Sequence, residues 1–265
     1  MMTHPTLRLG ARPAETRPRK PHLSGLRMMA RAAPPKLIRS HINPSPLMLD
    51  NDTLGDCTSA GLGNSIRALS ALNGFQTAIT SQNAVSFYSA STGYVPGNAT
   101  TDQGGIEVDV LGYAAANGYP VQNQTLFPLW GTIALDDFNS MRLAMAAFGA
   151  TYFGVQLALA DQASIGAVWD TDTPASAGDP APGSWGGHCL DGWDYTGTED
   201  TDLVTLLTWG TEQRCTWRWL KSRLMESHGV LWPQLATPSS SFLSIHDLEE
   251  VRAANAAFLN GAAAA

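Results

Sequence analysis

The sequence predicts an α+β fold, with a helical N-terminal half packed on an antiparallel sheet or barrel formed by the second half. Three observations carry this. Up to Gly149, apolar residues recur at helical spacing in segments with recognisable caps and stops. From Thr151 onward the runs are rich in aromatic and β-branched residues, bounded by turn clusters. No internal repeat is visible, so helices followed by strands read as one α+β arrangement.

The elements follow in order. Residues 1–46 form a basic, Pro-rich arm, 47–240 the folded domain (helical half 47–149, sheet half 150–240), and 241–265 a helical tail. Residues 47–55 are turn-rich. Asp56 is placed to cap a helix that carries Leu62, Ile66, Leu69 and Leu72 and stops at Asn73-Gly74. Thr80 or Ser81 caps a second helix running to about Ser91. Residues 93–105 are loop. Ile106 to Asn117 reads as a helix ended by Gly118 in the left-handed conformation, with Pro120 beyond. A fourth helix runs from Asp136 or Asp137 to Gly149. Thr151 to Leu157 reads as a strand, and 170–187 as a Pro/Gly/Asp loop. His188 to Tyr195 and Leu203 to Trp209 read as strands joined by a turn. A helix is expected from Thr216 to Ser227, stopped by His228-Gly229, and another from Ser244 to Leu259.

Composition narrows the possible functions. Hydrophobic residues make up 44% of 265, enough for a sizeable core. No run approaches the roughly 18 apolar residues of a membrane span, and no secretory signal core is visible. Three cysteines are too few for a disulfide scaffold and suit a reducing compartment. The arm holds nine Lys or Arg against one acid, Glu15; its net +8 leaves about −15 for the rest of a chain whose total is −7. Such an arm is extended or disordered when alone. It serves as a strap across its own acidic body, a docking arm for protein partners, or a removable propeptide. Nucleic-acid binding is disfavoured because no aromatic residue interleaves its charges. Asp50, Asp52 and Asp56 lack the Gly and Glu of a calcium loop. No Cys or His pair has zinc spacing and no phosphate loop is present, so neither metal nor cofactor is expected. The tryptophans Trp185, Trp193, Trp209, Trp217 and Trp219 read as core.

Two short stretches carry chemistry. In Gly55-Asp56-Cys57-Thr58 a cysteine enters the first turn of a helix, where the dipole favours thiolate. Ser59, Ala60, Gly61 and Gly63 let that helix approach a neighbour closely. In Ser184-Trp185-Gly186-Gly187-His188 a histidine opens a strand after two glycines, and histidine is the usual base for a thiol. His4, His22 and His41 lie in the arm, His228 at an expected helix end and His246 in the tail.

Cys57 and His188 are 131 residues apart, within the roughly 130–150 of papain-like enzymes. Gly55-Asp56-Cys57, Asn51 six residues before the cysteine, Gly104-Gly105 through Asn117-Gly118 to Pro120, Gly192 and Tyr195 after the histidine, and Trp209-Gly210 resemble that family over about residues 47–235. The resemblance implies a papain-like cysteine peptidase fold, with Cys57 as nucleophile, His188 as base and Asn51 in the oxyanion hole, where the family usually has Gln. Two positions depart from it. Thr58 replaces an aromatic after the cysteine. Leu207 stands where the family has an Asn that orients the histidine. If the strand is regular, Thr208 and Asp191 point to the opposite face, which leaves the third member missing or unconventional.

The phrases Leu-Asp-Asn-Asp-Thr-Leu-Gly-Asp-Cys-Thr and Ser-Trp-Gly-Gly-His also resemble proteins of tailed bacteriophages and prophages. That implies a place in a phage virion or in the bacterial host cytoplasm. Two functions are expected. One is a thiol protease or amidase acting on a peptide or cell-wall amide. The other is a catalytically silent structural protein of the virion, anchored to neighbouring subunits through residues 1–46.

Overall fold

The computed structural model describes residues 7–13, 20–23, 26–172, 178–236 and 245–262. Glu15, Arg17 and Arg19 of the arm, residues 173–177 of the expected loop and the tail's start at Ser244 lie outside the described residues.

Helix α1 (Cys57–Leu72) is the centre of the helical half, buried along its length from Cys57 to Ser70. Its glycines explain how it comes so close to the sheet. A Cβ at Gly61 would lie 3.0 Å from the Tyr152 ring and 3.1 Å from the Cys189 sulfur. The Tyr152 hydroxyl donates to the Thr58 carbonyl at 2.7 Å across the same contact. Asp56 occupies the N-cap position, but its side chain makes no cap hydrogen bond. Helix α2 (Ser81–Thr92) opens with a reciprocal capping box between Thr80 and Asn83 and ends at Gly93 in the left-handed region. Helix α3 (Glu107–Asn117) ends at Gly118, whose φ of 79° is positive as expected but whose ψ of 166° takes it out of the left-handed helical well, into a conformation suited to glycine. Helix α4 (Phe138–Phe148) is capped by Asp137, which accepts from Ser140 N at 3.0 Å.

Short strands β1 (Tyr119–Val121) and β2 (Gln124–Leu126) pair as a separate hairpin. The six-stranded antiparallel sheet comprises β3 (Leu129–Thr132), β4 (Thr151–Leu157), β5 (Gly186–Tyr195), β6 (Leu203–Thr208), β7 (Thr211–Thr216) and β8 (Leu224–Leu231). Its spatial order is β3-β8-β4-β5-β6-β7. One short helix, α5 (Leu159–Ala163), follows β4, and another, α6 (Trp217–Arg223), precedes β8. The helix expected from Thr216 to Ser227 is therefore corrected. It stops at Arg223, and the chain continues as β8 straight through His228-Gly229. The backbone of residues 224–231 satisfies β3 on one side and β4 on the other, and that long-range pairing outweighs the local helical pattern. Trp193, Trp217 and Trp219 are buried, with Trp130, Trp169 and Trp232, in the core.

Helix α7 (Ile245–Ala262) docks outside β3, where Asn255 exchanges hydrogen bonds with the backbone of Trp130 at 3.2 and 2.8 Å. Among the described residues no helix is long and apolar enough to cross a membrane.

The described parts of the arm run across the body and make three backbone clips to it, besides hydrogen bonds that join Arg31, Ala33 and Pro34 to the side chains of Asp247, Asn139 and Tyr195. Residues 8–12 exchange backbone hydrogen bonds with Asn51, Gly105 and Gly187. Pro21 and Leu23 bracket Thr132 of β3, with Leu23 N donating to the Thr132 carbonyl at 3.0 Å and Thr132 N donating to the Pro21 carbonyl at 2.8 Å. Leu37 exchanges a pair with Tyr195 of β5 at 2.9 and 3.0 Å. Beside it Arg39 is buried, stacked on Trp193, and donates to the carbonyls of Gly149, Trp193 and Met145 at 2.7, 2.9 and 2.8 Å.

Candidate active site

Cys57 is the first residue of α1 and is 1% exposed. The turn before it is held from outside. Asp102 accepts from Gly55 N at 3.0 Å and from the Tyr88 hydroxyl at 2.7 Å, and Gly104 N donates to that hydroxyl at 2.9 Å. One carboxylate and one phenol thus couple the cysteine turn to the Gly104–Gly105 segment. Burial pushes the Cys57 thiol up to about 12, and the neighbouring Asp56 and Glu107 add to the shift. Backbone groups of Cys189 and Gly10 donate toward the sulfur and pull the other way.

Asp56 is fully buried, and burial raises its pKa well above the usual carboxylate range, while the Asn51 side chain pulls the other way. Its expected capping role is corrected: the carboxyl lies inside the protein and makes no bond to the first helical turn. Asn51 is buried in the turn before Cys57; its Nδ2 donates to the Leu54 carbonyl at 3.2 Å, and its own carbonyl accepts from Arg8 N at 3.4 Å.

His188 is the third residue of β5 and fully buried. A hydrogen bond of 2.6 Å joins its Nε2 to Thr208 Oγ1. Its ring stacks on the Trp209 indole, centroids 4.1 Å apart and planes 16° from parallel, and Trp185 packs 5.5 Å from Trp209. Nδ1 is buried without a hydrogen-bond partner. Burial lowers the imidazole to about 3, so it is neutral. Among the described residues no hydrogen bond joins His188 to Cys57.

The expectation that Thr208 points away from His188 is corrected, and register gives the reason. Asp191 lies opposite Leu207, so those two share a face. His188, three residues before Asp191, takes the other face, and so does Thr208, one residue after Leu207. Leu207 packs with Ala68, Ala150 and Trp193. Trp209 then leaves the strand at φ 45°, which turns its indole back onto the histidine ring.

The first arm clip runs through this cleft. Gly105 N donates to the Gly10 carbonyl at 2.8 Å and Arg12 N to the Gly105 carbonyl at 2.9 Å. On the other side Ala11 N donates to the Gly187 carbonyl at 3.1 Å, and Trp209 Nε1 donates to the Arg8 carbonyl at 3.4 Å. The slot is lined by backbone. A Cβ at Gly10 would overlap the Gly55 carbonyl, one at Gly104 the Gly10 carbonyl, and one at Gly187 the Ala11 carbonyl. Sequence inspection did not single out Gly10. The glycines facing it did stand out, Gly55 and Gly187 in the two stretches that carry chemistry and Gly104-Gly105 in the family resemblance.

No family model and no curated protein matches the sequence. Solved structures do match in shape. Xylellain, a cysteine protease from Xylella fastidiosa, aligns with TM-score 0.61 at 14% identity over 88% of this chain and 98% of that one. Digestive procathepsin L 3 of Tenebrio molitor larval midgut aligns with TM-score 0.54 at 15% identity, covering 86% and 77%. The cysteine protease and lectin-like domains of a surface layer associated protein of Clostridium difficile align with TM-score 0.55 at 10% identity, covering 87% and 57%. The fold is that of papain-like cysteine proteases.

Proposed function

We propose that this protein hydrolyses peptide or related amide bonds through Cys57, and that residues 8–12 of its own chain hold it latent. Cys57 would attack the carbonyl carbon as thiolate. His188 would take the thiol proton at Nδ1 and deliver it to the leaving amine. With Nε2 bound to Thr208, Nδ1 is the ring nitrogen left to do this. The Cys57 N–H and the Asn51 side chain would hold the oxyanion, once Nδ2 turns from Leu54.

The single observation that carries this reading is the fixed His188 ring, bonded at Nε2 and stacked on Trp209, across a glycine slot from a cysteine at a helix start. The arm does not sit there as a substrate. Gly10 gives its carbonyl to Gly105 N at 2.8 Å, which seats the segment through its backbone on the cleft wall.

The test compares the full chain with a Gly10→Leu variant, whose side chain cannot enter the slot. Iodoacetamide labelling of Cys57 should be slow in the first and fast in the second, with hydrolysis of a casein substrate appearing alongside and vanishing in Cys57→Ser. Equal, slow labelling of Cys57, Cys189 and Cys215 in the opened protein would refute it.

A second reading keeps the fold and drops the chemistry: a structural component of a phage particle, fastened by residues 1–46. Leu207 in place of an orienting amide favours it. Deleting 1–46 should then abolish incorporation into particles.

A further inference from the structure

A second set of buried polar side chains lies between α3 and the sheet. Glu107 is the first residue of α3, and Glu226 and His228 alternate on β8, so both project from one face. Gly154 on β4 stands beside Glu226, and a Cβ there would lie 2.7 Å from Glu107 Oε1. The missing side chain makes room for the carboxylate. His228 Nε2 is 3.2 Å from Glu226 Oε2 and 3.6 Å from Glu107 Oε2. The three donor atoms lie within 4.8 Å of one another, and all three residues are buried.

We propose that Glu107, Glu226 and His228 bind a divalent cation of the zinc class. Four-coordinate zinc with bonds of about 2.1 Å separates its ligand atoms by about 3.4 Å, close to the spacings here. The imidazole is set up as metal ligands are, because Thr132 Oγ1 holds its Nδ1 at 3.3 Å and directs Nε2 into the cluster. Two further observations point to something bound. Glu107 is fully buried, and among the described residues the only group helping to hold its charge is the Cys189 thiol, a weak donor. Asp191, also fully buried with both oxygens unpartnered, lies close enough to act electrostatically on Glu107. Three buried carboxyls face one imidazole, and a bound cation would let them ionise where burial otherwise keeps them protonated. A cation would do this while tying the start of α3 to β8. Gly104 and Gly105, which hold the arm, immediately precede that start.

The test uses the full chain, stripped with chelator, refolded with Zn²⁺ and desalted. About one zinc per chain should remain by elemental analysis, and thermal unfolding should shift upward relative to the stripped protein. Cys57→Ala should keep the metal. Glu107→Gln and Glu226→Gln should lose it, and the milder Thr132→Val should weaken affinity about 10- to 100-fold. Co²⁺ substitution gives a reading that needs no variant, a visible spectrum without a thiolate charge-transfer band. Wild type that holds no zinc overturns the proposal. So does zinc that survives in both glutamate variants, is lost in Cys57→Ala, or is accompanied by a thiolate band with Co²⁺.

Discussion

Thr208 offers His188 a hydroxyl where the family resemblance implies an amide. A hydroxyl can donate or accept, so it can hold Nε2 but restricts the ring's tautomer less strictly than an acceptor alone. At 2.6 Å, inside a stack with Trp209, the partner is nonetheless fixed. Thr208→Val leaves a buried ring nitrogen unsatisfied, which costs about 1–3 kcal/mol. In the opened Gly10→Leu background we expect kcat/KM to fall roughly 5- to 150-fold, with a displaced pH profile and recovery in Thr208→Asn. A lower rate with an unmoved profile would mean that Thr208 does not position the ring. None of this was legible locally. Cys57 and His188 stood out through spacing and helix-start chemistry, but Thr208 depends on which residue lies opposite Asp191. Glu107, Glu226 and His228 were missed because the chain brings them together from α3 and a strand that reads as helix.

At the scale of elements, α1 is set against the sheet by what it lacks. Gly61→Val would press methyls into Tyr152 and Cys189. Overpacking of this kind destabilises by about 1–3 kcal/mol, and a thermal melt with the midpoint unchanged would contradict the close approach. The arm uses the same device in its slot, and Gly104→Ala should weaken seating there as Gly10→Leu does, read as faster Cys57 alkylation. Helices α1, α2 and α4 and strands β4, β5 and β6 were readable because caps, stops and β-branched runs are local signals. Strand β8 was not. It is buried on both faces from Glu226 to Leu231, so no alternation shows, and its Glu and His mimic a helix surface. Strand β7, Thr-Glu-Gln-Arg-Cys-Thr, is mostly polar and exists through its pairing with β6.

At the scale of the whole molecule, pH acts through buried histidines. Burial lowers both His188, to about 3, and His228. A folded pKa below the unfolded value of about 6.5 gives stability that is complete above 6.5 and lost as pH falls toward the folded pKa. Asp56, Glu107 and Asp191 have raised values, so they work in the opposite sense. Between their unfolded values near 4 and their raised folded values these acids are protonated in the folded state and ionised in the unfolded chain, so they gain stability as pH falls while each histidine loses up to about 1.4 kcal/mol per pH unit. The His188 share is read as a difference: in denaturant titrations at several pH values, His188→Gln should remove a loss of that size between about pH 6.5 and 4.5 relative to wild type, and an unchanged slope would contradict it. Opening the cleft hydrates His188 in the same way, so acid should also speed alkylation relative to the thiol's ordinary pH dependence.

The order of the three backbone clips along the arm matters. The cleft clip at residues 8–12 is nearest the N-terminus, while Leu37 and the buried Arg39 anchor the arm close to the body. A segment that leaves the cleft is still held by the clip at Pro21 and Leu23, on a leash of some nine residues whose end wanders only about 15–18 Å. Its local concentration is then of millimolar order. Reseating is unimolecular, so the closed fraction should not change on dilution, and a free peptide of residues 7–13 should inhibit the opened protein far less well than the attached segment. Cutting the chain between the first and second clips, rather than loosening its grip, is what would make opening permanent.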